Sequence, residues 1–376
     1  MGIPDDRVEQ RTAPGEPPVD RHDEPTETRE SRRIFRSMMS DTNLLRLGAI
    51  TVVIFIVMSI ARPNEFFSWT NFASMARQFP EIGILAIGVM ITLLTGGIDL
   101  SVNATANMSG ILAALVMTNM APPGTPLEQV IPVIILAVTV ALVTGTLAGL
   151  LNGVLIAYVG ITPILATLGT LTLYGGIALA ITKGPAVYGF PDQFLAIGNA
   201  TLVGIPIPVI IFTVIAAIFA FMLRSTPYGL KVYLLGTNPT ASRFSAIDNT
   251  RVLIRTYMLS GLLASIAGVI IIARTNSAKS DYGGSYVLQA ILIGILGGVS
   301  PAGGFGKISG LVLALLSLQF LSSGFNMLGF SNFFKDFVWG ALLLLVMVTN
   351  YLSTERSWRW LRPPGANRTR GQPAPG

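Results

Sequence analysis

Few side chains in this sequence could do chemistry. The one histidine, His22, lies in a polar N-terminal stretch and there is no cysteine. Imidazole relays, histidine triads, zinc sites and thiolate nucleophiles are therefore excluded. The carboxylate that stands out is Asp99, in the run Thr95-Gly96-Gly97-Ile98-Asp99-Leu100-Ser101 between two apolar segments. Inside a membrane an ionised side chain costs about 2.5–3.5 kcal/mol on insertion scales, so something must satisfy it. Asp99 or Ser101 caps the helix that follows, or Asp99 contacts a substrate directly, and the two roles are compatible. Asn103 and Asn107 are four residues apart and share one face of that helix. Such amides hydrogen-bond a neighbouring helix or line a polar path. Asn152, Thr167 and Thr170 are weaker candidates of the same kind. Gly303-Gly304-Phe305-Gly306-Lys307 resembles a phosphate loop only superficially, because Ile308 stands where Ser or Thr would hold magnesium.

The elements that must position these residues follow from composition. The 376 residues are 51% hydrophobic and 12% charged, which a soluble domain does not show. Ten segments approach the length of about 20 apolar residues that a spanning helix needs: 44–61, 80–95, 101–119, 131–157, 162–182, 207–223, 252–273, 286–297, 308–324 and 335–352. The second is short for a full span, and the eighth is too short to cross unless its glycine-rich continuation also lies in the membrane. The runs are too long and too uniformly apolar for barrel strands. The expected fold is all-α: a polytopic bundle of about ten transmembrane helices, broken at Gly96-Gly97 and at Gly297-Gly298. The second break echoes the first some 200 residues later, a weak internal repeat.

Charge gives the expected orientation. With both termini inside, only Arg62, Arg77, Lys183, Arg274, Lys279 and Lys335 of the 25 basic residues fall outside, in line with the positive-inside rule. The net charge of +6 thus marks topology and not a nucleic-acid partner. Residues 1–43 read as a disordered cytoplasmic tail with no signal-peptide core, 44–352 as the membrane domain, and 353–376 as a basic cytoplasmic tail. Gly145, Gly149 and Gly153 form a small-residue row that lets another backbone approach, within the chain or across a subunit interface. The longest interior loop, 224–251, contains Asn238 and Pro239, which suit the cap and first position of a two-turn helix over 239–247. Phe244 and Ile247 would share one face of it, and an apolar face on such a loop fits a docking partner.

From Phe72 to Leu352 the chain resembles the ribose, xylose and arabinose type permeases of bacterial ATP-binding-cassette importers, within the branched-chain amino acid/ribose permease superfamily. The residues that carry the resemblance are TGGIDLS at 95–101, GLLNGVLIAYVGITPILATLGT at 149–170, GTNPTASRFSAI at 236–247, LSGLLASIAGVI at 259–270 and GGVSPAGGFGKISG at 297–310. The resemblance implies an inner-membrane subunit that moves a monosaccharide or related polyol inward by alternating access and has no catalytic site of its own. It also implies a second permease copy or close paralogue, a periplasmic sugar-binding protein, surrounding lipid, and a separate cytoplasmic ATPase that binds ATP and magnesium. Asn238, Pro239, Ala241, Arg243, Phe244 and Ile247 would then couple to the ATPase. Asp99, Ser101, Asn103, Asn107, Asn152 and Thr167 would be pathway candidates. Where relatives often carry an acidic pair in the eighth span this chain has Val287 and Gln289, and it has Ala241-Ser242 and Ser245-Ala246 in place of Ala-Ala and Ser-Gly. These departures point to a divergent subgroup, and related subgroups are thought to carry rhamnose, polyols, inositol or the autoinducer-2 signal. The rival reading is an ion-coupled secondary transporter of a small polar solute, which would usually carry more ionisable groups within its spans.

Overall fold

Residues 42–122 and 124–361 are described by the computed structural model. The tail expected over 1–43 therefore lies outside the described residues except for its last two, which open the first helix. All ten apolar segments are helical. The order is α1 (Thr42–Ala61), α2 (Pro63–Phe66), α3 (Trp69–Leu94), α4 (Val102–Met120), α5 (Leu127–Ala157) and α6 (Pro163–Thr182), then the short α7 (Asp192–Asn199). Next come α8 (Ile207–Ser225), α9 (Pro227–Thr237), α10 (Pro239–Phe244), α11 (Asn249–Thr275), α12 (Tyr286–Leu296), α13 (Ile308–Met327) and α14 (Asn332–Leu361). Four two-residue strands tie the loops: β1 (Val187–Tyr188) pairs antiparallel with β4 (Ser277–Ala278), and β2 (Thr201–Leu202) with β3 (Ile205–Pro206).

Eight of these helices are long and apolar enough to cross a membrane. Of the remaining two segments, α4 has the length but is diluted by Asn103, Thr105, Asn107 and Ser109. Helix α12 has 11 residues and so rises only about 16 Å. The segment expected as short, 80–95, belongs instead to the 26-residue α3, which runs through Pro80. Its polar first turns hold because Ser68 Oγ caps Asn71 N–H (3.2 Å), Asn71 Nδ2 donates to Phe66 O (2.8 Å) and Ser323 Oγ donates to Asn71 Oδ1 (2.6 Å). Helix α14 continues past 352, where the C-terminal tail was expected to begin, to Leu361.

Helices α3 and α11 form the centre, each with most of its length buried, while α1, α5, α6, α8 and α14 keep broad apolar faces outward. That inversion, apolar outside as well as inside, suits a bundle immersed in hydrocarbon. The glycine row of α5 packs within the chain. A Cβ on Gly145 would overlap Gly261 O, one on Gly149 would overlap Tyr257 O, and one on Gly153 would lie 2.8 Å from Ile254 Cα. Backbone thus meets backbone along α5 and α11, the contact that small residues permit.

The two breaks share one geometry. After α3, Gly96 N–H donates to Leu93 O (2.9 Å) and Gly97 N–H to Thr92 O (3.1 Å), with Gly96 left-handed at φ 81°. After α12, Gly298 N–H donates to Ile295 O (3.0 Å) and Val299 N–H to Gly294 O (3.0 Å), with Gly298 at φ 86°. Both are Schellman caps in the same register behind Leu94 and Leu296. Gly97 and Gly297 serve close approach instead: a Cβ on Gly97 would lie 3.1 Å from the Pro163 ring, and one on Gly297 would lie 2.7 Å from Leu311 N.

Candidate functional site

The polar residues around the first break divide into two groups. Asp99 is 1% exposed, and both its oxygens are occupied. Ser101 donates to Oδ1 from its N–H (3.0 Å) and from Oγ (2.7 Å), and Ser260 Oγ of α11 donates to Oδ2 (2.8 Å). Ser101 Oγ in turn accepts from Asn152 Nδ2 of α5 (2.8 Å), and Asn152 Oδ1 accepts from Thr170 Oγ1 of α6 (2.7 Å). Thr167 Oγ1 lies within bonding distance of Ile98 O (3.1 Å) and Pro163 O (2.8 Å). Ser101 holds the N-cap position of α4 but makes no capping bond, because its hydroxyl is committed to Asp99 and Asn152. The expected cap is thus replaced by a seam, Ser260–Asp99–Ser101–Asn152–Thr170, that ties the break to α5, α6 and α11. A carboxylate with several donors and no exposure is what the interior of a membrane protein requires.

Asn103 and Asn107 belong to a second group. Asn103 Nδ2 donates to Tyr282 O (2.9 Å), while Asn107 Nδ2 reaches both Ser280 O (3.0 Å) and Tyr282 O (2.9 Å). The two amides clamp the segment between β4 and α12 onto α4. A hydrogen bond between the hydroxyls of Ser277 and Tyr282 also holds this segment. Asn103 Oδ1 is buried and has no partner among the described residues. An unpaired buried acceptor costs about 1–3 kcal/mol, which a donor placed beside it would recover.

Sequence reasoning missed one charged cluster. Glu81, fully buried in α3, accepts from Arg274 Nε (3.0 Å) and Nη2 (2.9 Å) and from the Tyr286 hydroxyl (2.7 Å). These bonds join α3, α11 and the first residue of α12. Glu81 is the one carboxylate within segment 80–95, which was the available signal, whereas Arg274 had been assigned to an outer loop.

The loop over 224–251 folds into α9 and α10. Asn238 Oδ1 caps α10 by accepting from Thr240 N–H and Ala241 N–H (both 3.0 Å), with Pro239 at the first helical position. The helix ends at Phe244, earlier than expected, because Ala246 turns left-handed (φ 57°) and Ile247 N–H closes on Ser242 O (3.2 Å). Phe244 and Ile247 therefore do not share a face: Phe244 is 88% exposed, while Ile247 packs against the core. Only Ser242 of α10 is buried, bonded to Asn249 Oδ1 (2.8 Å), and Asn249 Nδ2 donates to Pro239 O (2.9 Å). Pro239, Ala241, Arg243 and Phe244 are left exposed around that single anchor.

The base of this loop meets both breaks. Gly304 N–H donates to Leu94 O (2.9 Å), and the Tyr233 hydroxyl of α9 donates to Gly306 O (2.8 Å). A Cβ on Gly236 would overlap Leu94 O, and one on Gly303 would lie 2.9 Å from Gly96 N and 2.8 Å from Gly236 O. The end of α3, the glycine loop before α13 and the end of α9 thus form one close-packed junction.

The family described as branched-chain amino acid transport system / permease component matches residues 71–347. The autoinducer 2 import system permease protein LsrD of Yersinia enterocolitica is 36% identical over 293 residues, covering 76% of this chain and 85% of its own length. LsrD of Klebsiella pneumoniae is 36% identical over 287 residues, covering 75% and 83%, and that of Yersinia pseudotuberculosis serotype O:3 is 35% identical over 293 residues, covering 76% and 85%. No solved structure matches the chain significantly. A family match over most of the membrane region, on a chain with eight spanning-length helices and the motifs described above, has one consequence: this chain belongs to the branched-chain amino acid transport system / permease component family, as a multi-pass permease of the ATP-binding-cassette type.

Proposed function

We propose that the chain is the membrane-spanning subunit of an ATP-driven importer for a small hydroxylated solute: a monosaccharide, a related polyol, or the autoinducer-2 type signal named for its relatives. The observation that carries this reading is the junction of Leu94, Gly303, Gly304 and Gly236, which links the exposed α10 to both helix breaks. A rigid path of that kind lets a docked ATPase move the breaks without making any covalent bond here. ATP and magnesium belong to that separate ATPase, which engages Asn238, Pro239, Ala241, Arg243 and Phe244, while a periplasmic binding protein selects the solute. A second permease copy or close paralogue completes the translocator. Both termini face the cytoplasm, and the membrane is the bacterial inner membrane.

In this mechanism of alternating access, Asn103 and Asn107 act on the path, and the Ser280–Tyr282 backbone they hold is its outer closure. Asp99, Ser101, Asn152 and Thr167 act beside the path, holding the break in shape. The buried Glu81 is neutralised by Arg274, which supports this reading over the ion-coupled one. Purification in mild detergent with mass spectrometry of the companions, followed by uptake in proteoliposomes, tests the proposal. An accompanying ATPase and uptake that requires internal ATP are expected. Uptake that survives without ATP but collapses with ionophores would overturn it.

A further inference from the structure

Where α8, α9 and α11 meet near the 224–251 loop there is a cavity of about 340 Å³, lined by Met222, Tyr228, Arg255, Met258 and Leu259. Along α11 the lining changes from basic to apolar. Arg255 lies six residues into α11, about 9 Å from the helix start, and Tyr228 lies in the first turn of α9. Met258 and Leu259 lie about a turn farther along α11, while Met222 lies three residues from the end of α8, about 5 Å in. The Tyr228 hydroxyl is already committed to Thr256 Oγ1 (2.8 Å). Arg255 is exposed and makes no hydrogen bond or ion pair with any described residue. The open groove is therefore almost wholly apolar, and Arg255 is the one charged residue in its lining.

The flanking sequence is cationic. Between 224 and 255 the chain carries Arg224, Lys231, Arg243, Arg251 and Arg255 against a single acid, Asp248, which Arg251 already holds (2.9 Å). The cavity is at the small end of the range of about 300–1,000 Å³ for ligand sites. An anionic headgroup on Arg255 and an apolar tail along Met258 and Leu259 match the charge and the apolar lining.

The geometry points to a binding site for one anionic phospholipid of the cytoplasmic leaflet, with its phosphate on Arg255 and an acyl chain against Met258, Leu259 and Met222. The side of the membrane rests on the orientation proposed above. Occupancy would brace the root of α9, and hence the junction that α10 is proposed to drive.

Native mass spectrometry of the full chain, exchanged into equal phosphatidylglycerol and phosphatidylcholine, tests the site. Preferential retention of phosphatidylglycerol is expected, reduced about five-fold by Arg255→Gln, the loss that follows from one basic contact. Arg255→Lys should restore much of it, and Arg251→Gln should leave it unchanged. Met258→Trp, which fills the slot without changing charge, should also displace the lipid. Equal retention of the two lipids, or undiminished preference in both Arg255→Gln and Met258→Trp, would overturn the proposal. Because the chain has no cysteine, Met258→Cys supplies a unique thiol. A disulfide-linked dimer through it would show a second copy covering the slot and would equally overturn the lipid site. Recovery of the ATPase is scored separately in each preparation. A lipid preference that persists without an ATPase leaves this site standing and counts only against the coupling reading.

Discussion

Asp99 shows how a single charge is made tolerable in this bundle. Its oxygens accept from Ser101 and Ser260, and the chain of bonds continues to Asn152 and Thr170. Removing the carboxylate strands several buried donors at once, so Asp99→Ala is expected to cost about 2–4 kcal/mol, seen as a lower melting temperature in detergent. Asp99→Asn, which keeps one acceptor oxygen, should lose clearly less. Ala246 is the converse case. It sits at φ 57°, a conformation that costs an L-residue roughly 1–2 kcal/mol and glycine almost nothing. Ala246→Gly is expected to stabilise the end of α10 by about 0.5–1 kcal/mol after the larger chain entropy of glycine is subtracted. Slower amide hydrogen exchange over Ser242–Ile247 would show it, and unchanged or faster exchange would refute it.

Each break is an element with a repeated design: a helix ends in a Schellman cap, a left-handed glycine turns the chain, and a second helix begins after an irregular stretch. The segment clamped by Asn103 and Asn107 is held more lightly, by a few side-chain donors to main-chain carbonyls. Asn107→Ala removes two of those bonds, so exchange over residues 279–285 should quicken by roughly ten-fold or more, the effect of about 1.4–3 kcal/mol of local stability, while α11 stays protected. Helix α10 makes a different demand. Phe244 is 88% exposed, so little of its ring packs against the described residues. Phe244→Ala should leave the melting temperature within the scatter of a surface change, about 0.5 kcal/mol, yet weaken ATPase association by ten-fold or more if it is an anchor. Retained affinity would place the anchor elsewhere on α10.

For the whole molecule, the Glu81–Arg274–Tyr286 cluster joins α3, α11 and α12 in one set of bonds. Because Glu81 is buried, Glu81→Ala would leave Arg274 without its counter-charge, a loss of about 3 kcal/mol that should lower the yield of folded protein as well as its melting temperature. Along the chain only the lone carboxylate of segment 80–95 marked it, since a partner 193 positions away leaves no local mark of the pairing. What could be read beforehand follows from short-range physics. Hydrophobic runs demand helices in lipid, glycine pairs break them, and Asn238 followed by Pro239 starts α10 where the sequence suggests. What could not be read depends on which surfaces meet. The polar start of α3 is helical because Ser323 reaches Asn71. Ser101 gives up its cap because Asp99 and Asn152 claim its hydroxyl, and Ile247 leaves the face of Phe244 because the core takes it. Apart from the start of α3, the helices were determined by residues near one another in the chain. The seam, the clamp and the junction arose only when helices far apart in sequence packed together, because each buried polar group must find its partner wherever the fold brings one.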